Sequence, residues 1–167
     1  NEAWYLGDTY ISAIGQGNIL MTPIQVNQMM SVVASGGQWC RPHLIKSEIR
    51  STKSEICRKM DIHEKTLALV KEGLKQVTET GGPAFPFFEF KVKGERIYVG
   101  AKTGTAEFGP DVTSGQAEKR THAWITVMAP LDKPQIVATV LLEAAGEGSY
   151  QAAPVAKELL SYWFERQ

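Results

Sequence analysis

The order of elements in this sequence, two helices, three strands and a last helix, predicts an α+β fold in which an antiparallel sheet is flanked by helices. Three observations carry that expectation. Apolar residues recur at helical spacing after Thr22, after Asp61 and around Val155 to Trp163, and runs rich in β-branched and aromatic residues lie at Arg96 to Glu107, His122 to Ala129 and Gln135 to Glu143. The loop between the last two runs, Pro130-Leu131-Asp132-Lys133-Pro134, fits an antiparallel hairpin. At 167 residues the chain can form one unit with a real core, because about 150 residues bury roughly 70% of their unfolded surface.

Taken in order, Trp4 to Thr9 reads as irregular, and Tyr10 to Ile14 as a short extended piece ending at Gly15-Gln16-Gly17. Those glycines permit a turn with positive φ. They lack the third glycine and the Lys-Ser/Thr of a phosphate-cradling loop, so no nucleotide site is expected. Thr22 is an N-cap, Pro23 suits the first helical position and Gln25 completes a capping box. Val26, Met29, Met30 and Val33 then form one stripe, with the methionines as core filler, and Gly36-Gly37 ends the helix. Trp39 to Ile45 is expected to be extended, with Pro42 at an edge or turn, and Lys46 to Lys59 to be a solvated connection.

Asp61 opens the second helix, with Glu64 placed for a capping box. Its seam is Leu67, Val70, Leu74 and Val77, and Gly81-Gly82-Pro83 stops it. Phe85, Phe87, Phe88 and Phe90 are assigned to the core, and Lys93-Gly94-Glu95 to a turn before the first long strand. The polar segment from Phe108 to Thr121 reads as a functional loop. Val155, Leu159, Tyr162 and Trp163 are expected to be the buried face of the last helix, with Pro154 in its first turn. His43 has no acid or nucleophile nearby in sequence and is read as structural, His63 in the first turn of the second helix as exposed, and His122, at a strand start after a basic pair, as structural.

Composition excludes several classes of function. Eighteen basic and eighteen acidic residues balance, so no long-range field favours nucleic acid or an anionic membrane surface. No apolar run approaches the roughly 18 to 20 residues that span a bilayer, and the first residues are not a signal peptide. Any export or anchoring signal is expected outside this chain. Cys40 and Cys57 have no CxxC or Cys/His cluster around them, so no metal site is expected. One disulfide or two free thiols are both open to them, and free thiols are the expectation.

The chemistry concentrates in Lys102-Thr103-Gly104-Thr105-Ala106-Glu107, the end of a strand led in by Arg96 to Val99. Alternation puts the Thr103 and Thr105 hydroxyls on one side, while Gly104 leaves a gap on the other that admits another backbone. Lys102 sets a fixed positive charge beside two hydroxyls, which suits a carboxylate. At a sheet edge the same backbone can pair with an extended peptide. A plain edge strand that uses Lys and Thr against aggregation has the same composition, so these residues alone do not decide.

The surrounding segments decide. Trp4-Tyr5-Leu6-Gly7-Asp8-Thr9, Ser12-Ala13-Ile14-Gly15-Gln16-Gly17, Thr22-Pro23-Ile24-Gln25, the Lys102 to Glu107 stretch, His122-Ala123-Trp124, Ala129-Pro130 and Ala153-Pro154-Val155-Ala156 occur in that order. Together they resemble the C-terminal part of class B penicillin-binding transpeptidases, the elongation-type members most of all. The resemblance covers nearly all of residues 1–167. It implies part of the penicillin-binding transpeptidase and serine β-lactamase-like fold, a bacterial periplasmic setting at the outer face of the cytoplasmic membrane, and no metal or organic cofactor. It also implies peptidoglycan stem peptides ending in D-Ala-D-Ala, and β-lactams, as what the site binds.

By resemblance, Thr103 and Thr105 bind the substrate's terminal carboxylate and Lys102 supplies positive potential. The Thr105 N–H acts as one oxyanion donor, and Gly104 keeps the strand close to the nucleophile's helix. The family's Ser-x-x-Lys and Ser-x-Asn elements do not occur in this sequence. The chain is therefore expected to be the back half of a catalytic domain, inactive alone, whose partner is the front half and whose parent is anchored through a segment outside this chain. A serine β-lactamase, or a non-catalytic β-lactam sensor or interaction module on the same fold, are the alternatives.

Overall fold

The computed structural model describes residues 3–17, 19–44, 56–108 and 120–167. Its centre is an antiparallel sheet of three strands in the order β5-β6-β7, with β5 at Gly100–Phe108, β6 at Arg120–Ala129 and β7 at Ile136–Leu142. Before it come helix α1 (Leu6–Ala13), helix α2 (Pro23–Ala34), a short hairpin of β1 (Gln38–Cys40) and β2 (Cys57–Lys59), helix α3 (Glu64–Gln76), and a second small hairpin of β3 (Lys91–Val92) and β4 (Glu95–Arg96). Helix α4 (Ala153–Glu165) follows it, entered through a π-helical turn at Gly148–Ala152.

Strand β6 is apolar on both faces, and both faces are covered. Ala123, Ile125, Val127 and Ala129 pack with Ala152, Ala153, Ala156 and Leu160 of the C-terminal segment, joined by Phe87, Phe90, Val99 and Ala101. Met128, on the other face, packs with Met30 of α2 and Leu74 of α3. The expected α+β arrangement of a helix-flanked antiparallel sheet is therefore present. Thr126, buried within β6, meets the hydroxyl of its partner Thr139 at 3.1 Å. Helix α2 has the expected capping box: the Thr22 hydroxyl accepts from the Gln25 N–H, and the Gln25 side-chain Oε1 accepts from the Thr22 N–H at 2.8 Å.

Several expectations are corrected. Tyr10 to Ile14 is not extended; it belongs to helix α1 and its cap. The Asp8 carboxylate accepts the Tyr5 N–H at 2.8 Å in the first turn, and Gly15 (φ 76°) closes the other end. Two good caps outweigh the β-propensity of Tyr and Ile. Helix α3 starts at Glu64, with His63 as N-cap accepting from the Lys65 N–H, and it ends at Gln76, well before Gly81. On its seam Leu67 and Leu74 are buried and Val77 packs against the core, but Val70 is exposed. On α2, Met29 is likewise exposed while Met30 is buried.

Cys40 and Cys57 are not free thiols. They face each other across the β1–β2 pair, with Cα atoms 4.0 Å apart, and form a disulfide. Lys46 to Lys59 is thus not all connection, because Ile56 is buried and Cys57–Lys59 is a strand; Ile45 and residues 46–55 lie outside the described residues. Arg96 to Val99 does not continue into β5 either: Arg96 ends β4, whose two-residue turn uses Lys93 and Gly94, both at positive φ.

The largest correction concerns α4. Val155, Leu159, Tyr162 and Trp163, expected to be buried, are 42, 40, 56 and 40% exposed, and the buried positions are Ala153, Ala156 and Leu160. Small side chains let the helix lie close to the sheet, so bulk was the wrong guide to the inner face. Phe85, assigned to the core, is exposed as well, stacked at a tilt on Tyr150.

Gly148 fixes where α4 begins. A Cβ there would run into the Trp124 carbonyl oxygen and lie 2.7 Å from that of Gly104. Only glycine lets the π turn rest directly on the backbones of β5 and β6. Gly148→Ala is expected to destabilise the fold by about 3 kcal/mol. Gly73→Ala in α3, where an added Cβ meets nothing within 4 Å, is expected to stabilise it by about 0.8 kcal/mol. Urea denaturation of the two variants checks the pair, and a loss below about 1 kcal/mol for Gly148→Ala would mean the turn can lift off the sheet.

Candidate active site

Strand β5 carries the expected site residues, and its register against β6 sorts them by face. Thr103 lies opposite Ile125 and Thr105 opposite Ala123, so both threonines share the face on which α4 packs. Lys102, Gly104 and Ala106 lie opposite Thr126, Trp124 and His122 on the other face, the one shared with α2 and α3. The expected alternation of hydroxyls on one side and a gap at Gly104 on the other is what the ladder contains. The gap is narrow within this chain, since a Cβ at Gly104 would sit 3.3 Å from the Trp124 Cβ. Lys102 is exposed; Thr103, Gly104 and Thr105 are half-buried.

Two hydrogen bonds show which way the backbone of β5 points. Lys102 Nζ donates to the Thr103 carbonyl at 2.6 Å, and Gln16 Nε2 donates to the Thr105 carbonyl at 2.8 Å. The Thr105 carbonyl is reached from outside the sheet, and that of Thr103 by a side chain rather than a strand. In a strand the N–H and C=O of one residue point to the same side, so the N–H groups of Thr103 and Thr105 also face the edge away from β6. Among the described residues β5 pairs with β6 alone. The edge therefore offers N–H donors flanked by an ammonium, while two of its carbonyls already accept bonds. Such an edge suits an anion or a developing oxyanion.

Gln16, which reaches the candidate stretch at Thr105, was not singled out from the sequence as a site residue. It was read as the middle of a turn and as part of the Ser12 to Gly17 segment that carries the resemblance, and its partner is far along the chain. The local signal was nevertheless present. Gly15 N–H donates to Ser12 O at 2.9 Å and Gln16 N–H to Ile11 O at 3.1 Å, the paired bonds of a Schellman helix end with Gly15 at its left-handed position. A polar residue displayed just after such a cap, before Gly17 (φ 94°), is aimed by the backbone itself.

The ends of β5 are held by other contacts. At the entry, the buried Thr78 hydroxyl lies 2.7 Å from the Val99 carbonyl and 2.9 Å from that of Lys75, tying the end of α3 to the start of the strand. At the exit, Phe108 stacks on His122 with ring centroids 3.9 Å apart, and the Arg120 guanidinium sits over Phe108. His122 also accepts the Ala144 N–H through Nδ1 at 3.3 Å, a structural role, as expected. His43 and His63 are exposed. The loop expected between Phe108 and Thr121 falls, from 109 to 119, outside the described residues. Lys75 on α3 is held above the usual lysine range by its hydrogen bond with Glu79, then by the charges of Glu72 and Glu79, remote from the Lys102 stretch in sequence.

The model of the penicillin binding protein transpeptidase domain matches residues 1–161 of this chain. Among curated proteins, the peptidoglycan D,D-transpeptidase MrdA of Haemophilus influenzae is 33% identical over 98% of this chain and 27% of that protein. Among solved structures, Pseudomonas aeruginosa PBP2 in complex with WCK 5153 superposes with a TM-score of 0.79 at 31% identity, covering 97% of this chain and 33% of that one. Helicobacter pylori PBP2, in its complex with MreC, gives 0.75 at 29% identity over 99% of this chain and 28% of that one. The chain thus spans about a quarter to a third of the length of these relatives.

The contact at Val99 yields a test. Thr78→Val keeps the shape but leaves the Val99 carbonyl without the hydroxyl, and is expected to lower stability by about 1 to 3 kcal/mol. Thermal unfolding measures it; an unchanged melting temperature would show that β5 is anchored elsewhere.

Proposed function

This chain belongs to the penicillin-binding protein transpeptidase domain family, and on that premise we propose that it is the Lys-Thr-Gly portion of a peptidoglycan D,D-transpeptidase. The reaction is serine acyl transfer. A serine outside this chain attacks the D-Ala-D-Ala carbonyl of a stem peptide and expels the terminal D-Ala. The acyl group then passes to an amine on a neighbouring strand. A β-lactam takes the place of the stem peptide and remains as a stable acyl-enzyme.

The observation that carries this reading is the polarity of the β5 edge, with the Thr103 and Thr105 N–H groups facing outward beside the Lys102 ammonium. The Thr105 N–H is one oxyanion donor, and the Thr103 and Thr105 hydroxyls with Lys102 receive the substrate carboxylate. Gly104 lets the nucleophile's helix approach the opposite face. Exposed Trp4, Tyr5, Leu6, Tyr10, Ile14 and Leu20 supply apolar surface for the remaining half of the domain. The Cys40–Cys57 disulfide agrees with an oxidising, cell-wall-facing compartment.

Intact-mass spectrometry after incubation with benzylpenicillin tests the assignment. The full-length protein is expected to gain one acyl adduct and this chain alone none. Lys102→Ala in the full-length protein is expected to slow acylation roughly a hundredfold or more without loss of folding. An adduct on this chain would reveal a nucleophile within it, and unimpaired acylation of Lys102→Ala would remove the site from β5.

A further inference from the structure

We infer that Gln16 is a positioning residue for acyl transfer: its side-chain amide holds the Thr105 carbonyl and so aims the Thr105 N–H at the reacting oxygen. This rests on the transpeptidase reading of β5 and goes beyond it, because Gln16 belongs to the helix α1 turn and is not one of the Lys-Thr-Gly residues.

Helix α1 buries no residue of its own. The Gln16 amide is nevertheless half-buried and placed 2.8 Å from the carbonyl of a residue 89 positions away. Its approach is set by rigid backbone. Gly15 at φ 76° and the paired bonds to Ser12 O and Ile11 O fix the direction in which residue 16 leaves the helix. Gly17 at φ 94° turns the chain away again, and a Cβ there would press on Ile11 Cγ2 at 3.0 Å.

The effect on chemistry follows from the geometry of an edge strand. An edge lacks the neighbour that would otherwise fix the rotation of its peptide planes. Gln16 supplies one substitute bond, to the peptide plane that is hinged at the Thr105 Cα to the one bearing the oxyanion-donating N–H, and a donor contributes fully only if it is already oriented when charge develops. A carbonyl has two lone pairs, so Gln16 occupies one and leaves the other for an amide N–H of a bound peptide.

The test uses the full-length protein and three variants, with single-turnover acylation by a chromogenic β-lactam. Gln16→Met keeps length and loses the donor; Gln16→Glu keeps shape and presents an acceptor to an acceptor. Both are expected to slow the acylation step roughly three- to tenfold, with the dissociation constant of the non-covalent complex and the melting temperature unchanged. Wild-type rates in both variants would overturn the inference. So would a lowered melting temperature with both constants impaired together, which identifies a structural prop. Lys102→Ala separates the two levels: if it acylates like the wild type, the site reading itself fails, whereas its loss beside intact Gln16 variants defeats only the role of Gln16.

Discussion

Strand β6 is hydrogen-bonded along both edges and covered on both faces, and β5, β7, α2, the π turn and α4 are placed against it. From Ala123 to Ala129 its residues are buried apart from a half-buried Trp124. A strand in that position has no freedom of register, since a shift by one residue would exchange the face that receives α4 for the face that receives α2 and α3. The site on β5 inherits this constraint. Thr103 and Thr105 face one layer, and Lys102 and Gly104 the other, because Ile125, Ala123, Thr126 and Trp124 do.

The two faces are packed by different means. On the α4 side, alanines at 123, 129, 152, 153 and 156 bring helix and sheet close, and Gly148 seats the preceding turn on the strand backbones. Proximity multiplies small dispersion gains across many atoms. On the other side, Met30, Leu74 and Met128 make a smaller cluster, and the neighbouring surface around α1 remains apolar and exposed. The larger of the two clusters thus lies on the face of the threonines, and the smaller on the face of Gly104.

A free sheet edge can pair with another strand unless its backbone groups are unevenly engaged. Along β5 they are unevenly engaged. Carbonyls of Thr103 and Thr105 are engaged by Lys102 and Gln16, while the N–H groups of the same residues face outward. An incoming strand needs both donors and acceptors in alternation; an oxyanion needs donors only.

The sequence by itself determined the class of fold, the β6–β7 hairpin and the Lys102 to Thr105 stretch, because these rest on short-range signals. The alternation of side chains, the Thr22-Pro23 cap and the Pro130 to Pro134 loop are local and are readable from residues next to one another. The same local reading missed helix α1, whose caps at Asp8 and Gly15 outweigh its Tyr and Ile content, and it chose the bulky face of α4 over the alanine face. Only the tertiary structure decided which stripe goes inward, that Cys40 meets Cys57, and that Gln16 reaches Thr105. Each of these depends on which surfaces come within contact distance after folding, and contact energy between residues far apart in the chain leaves no periodic mark in the sequence.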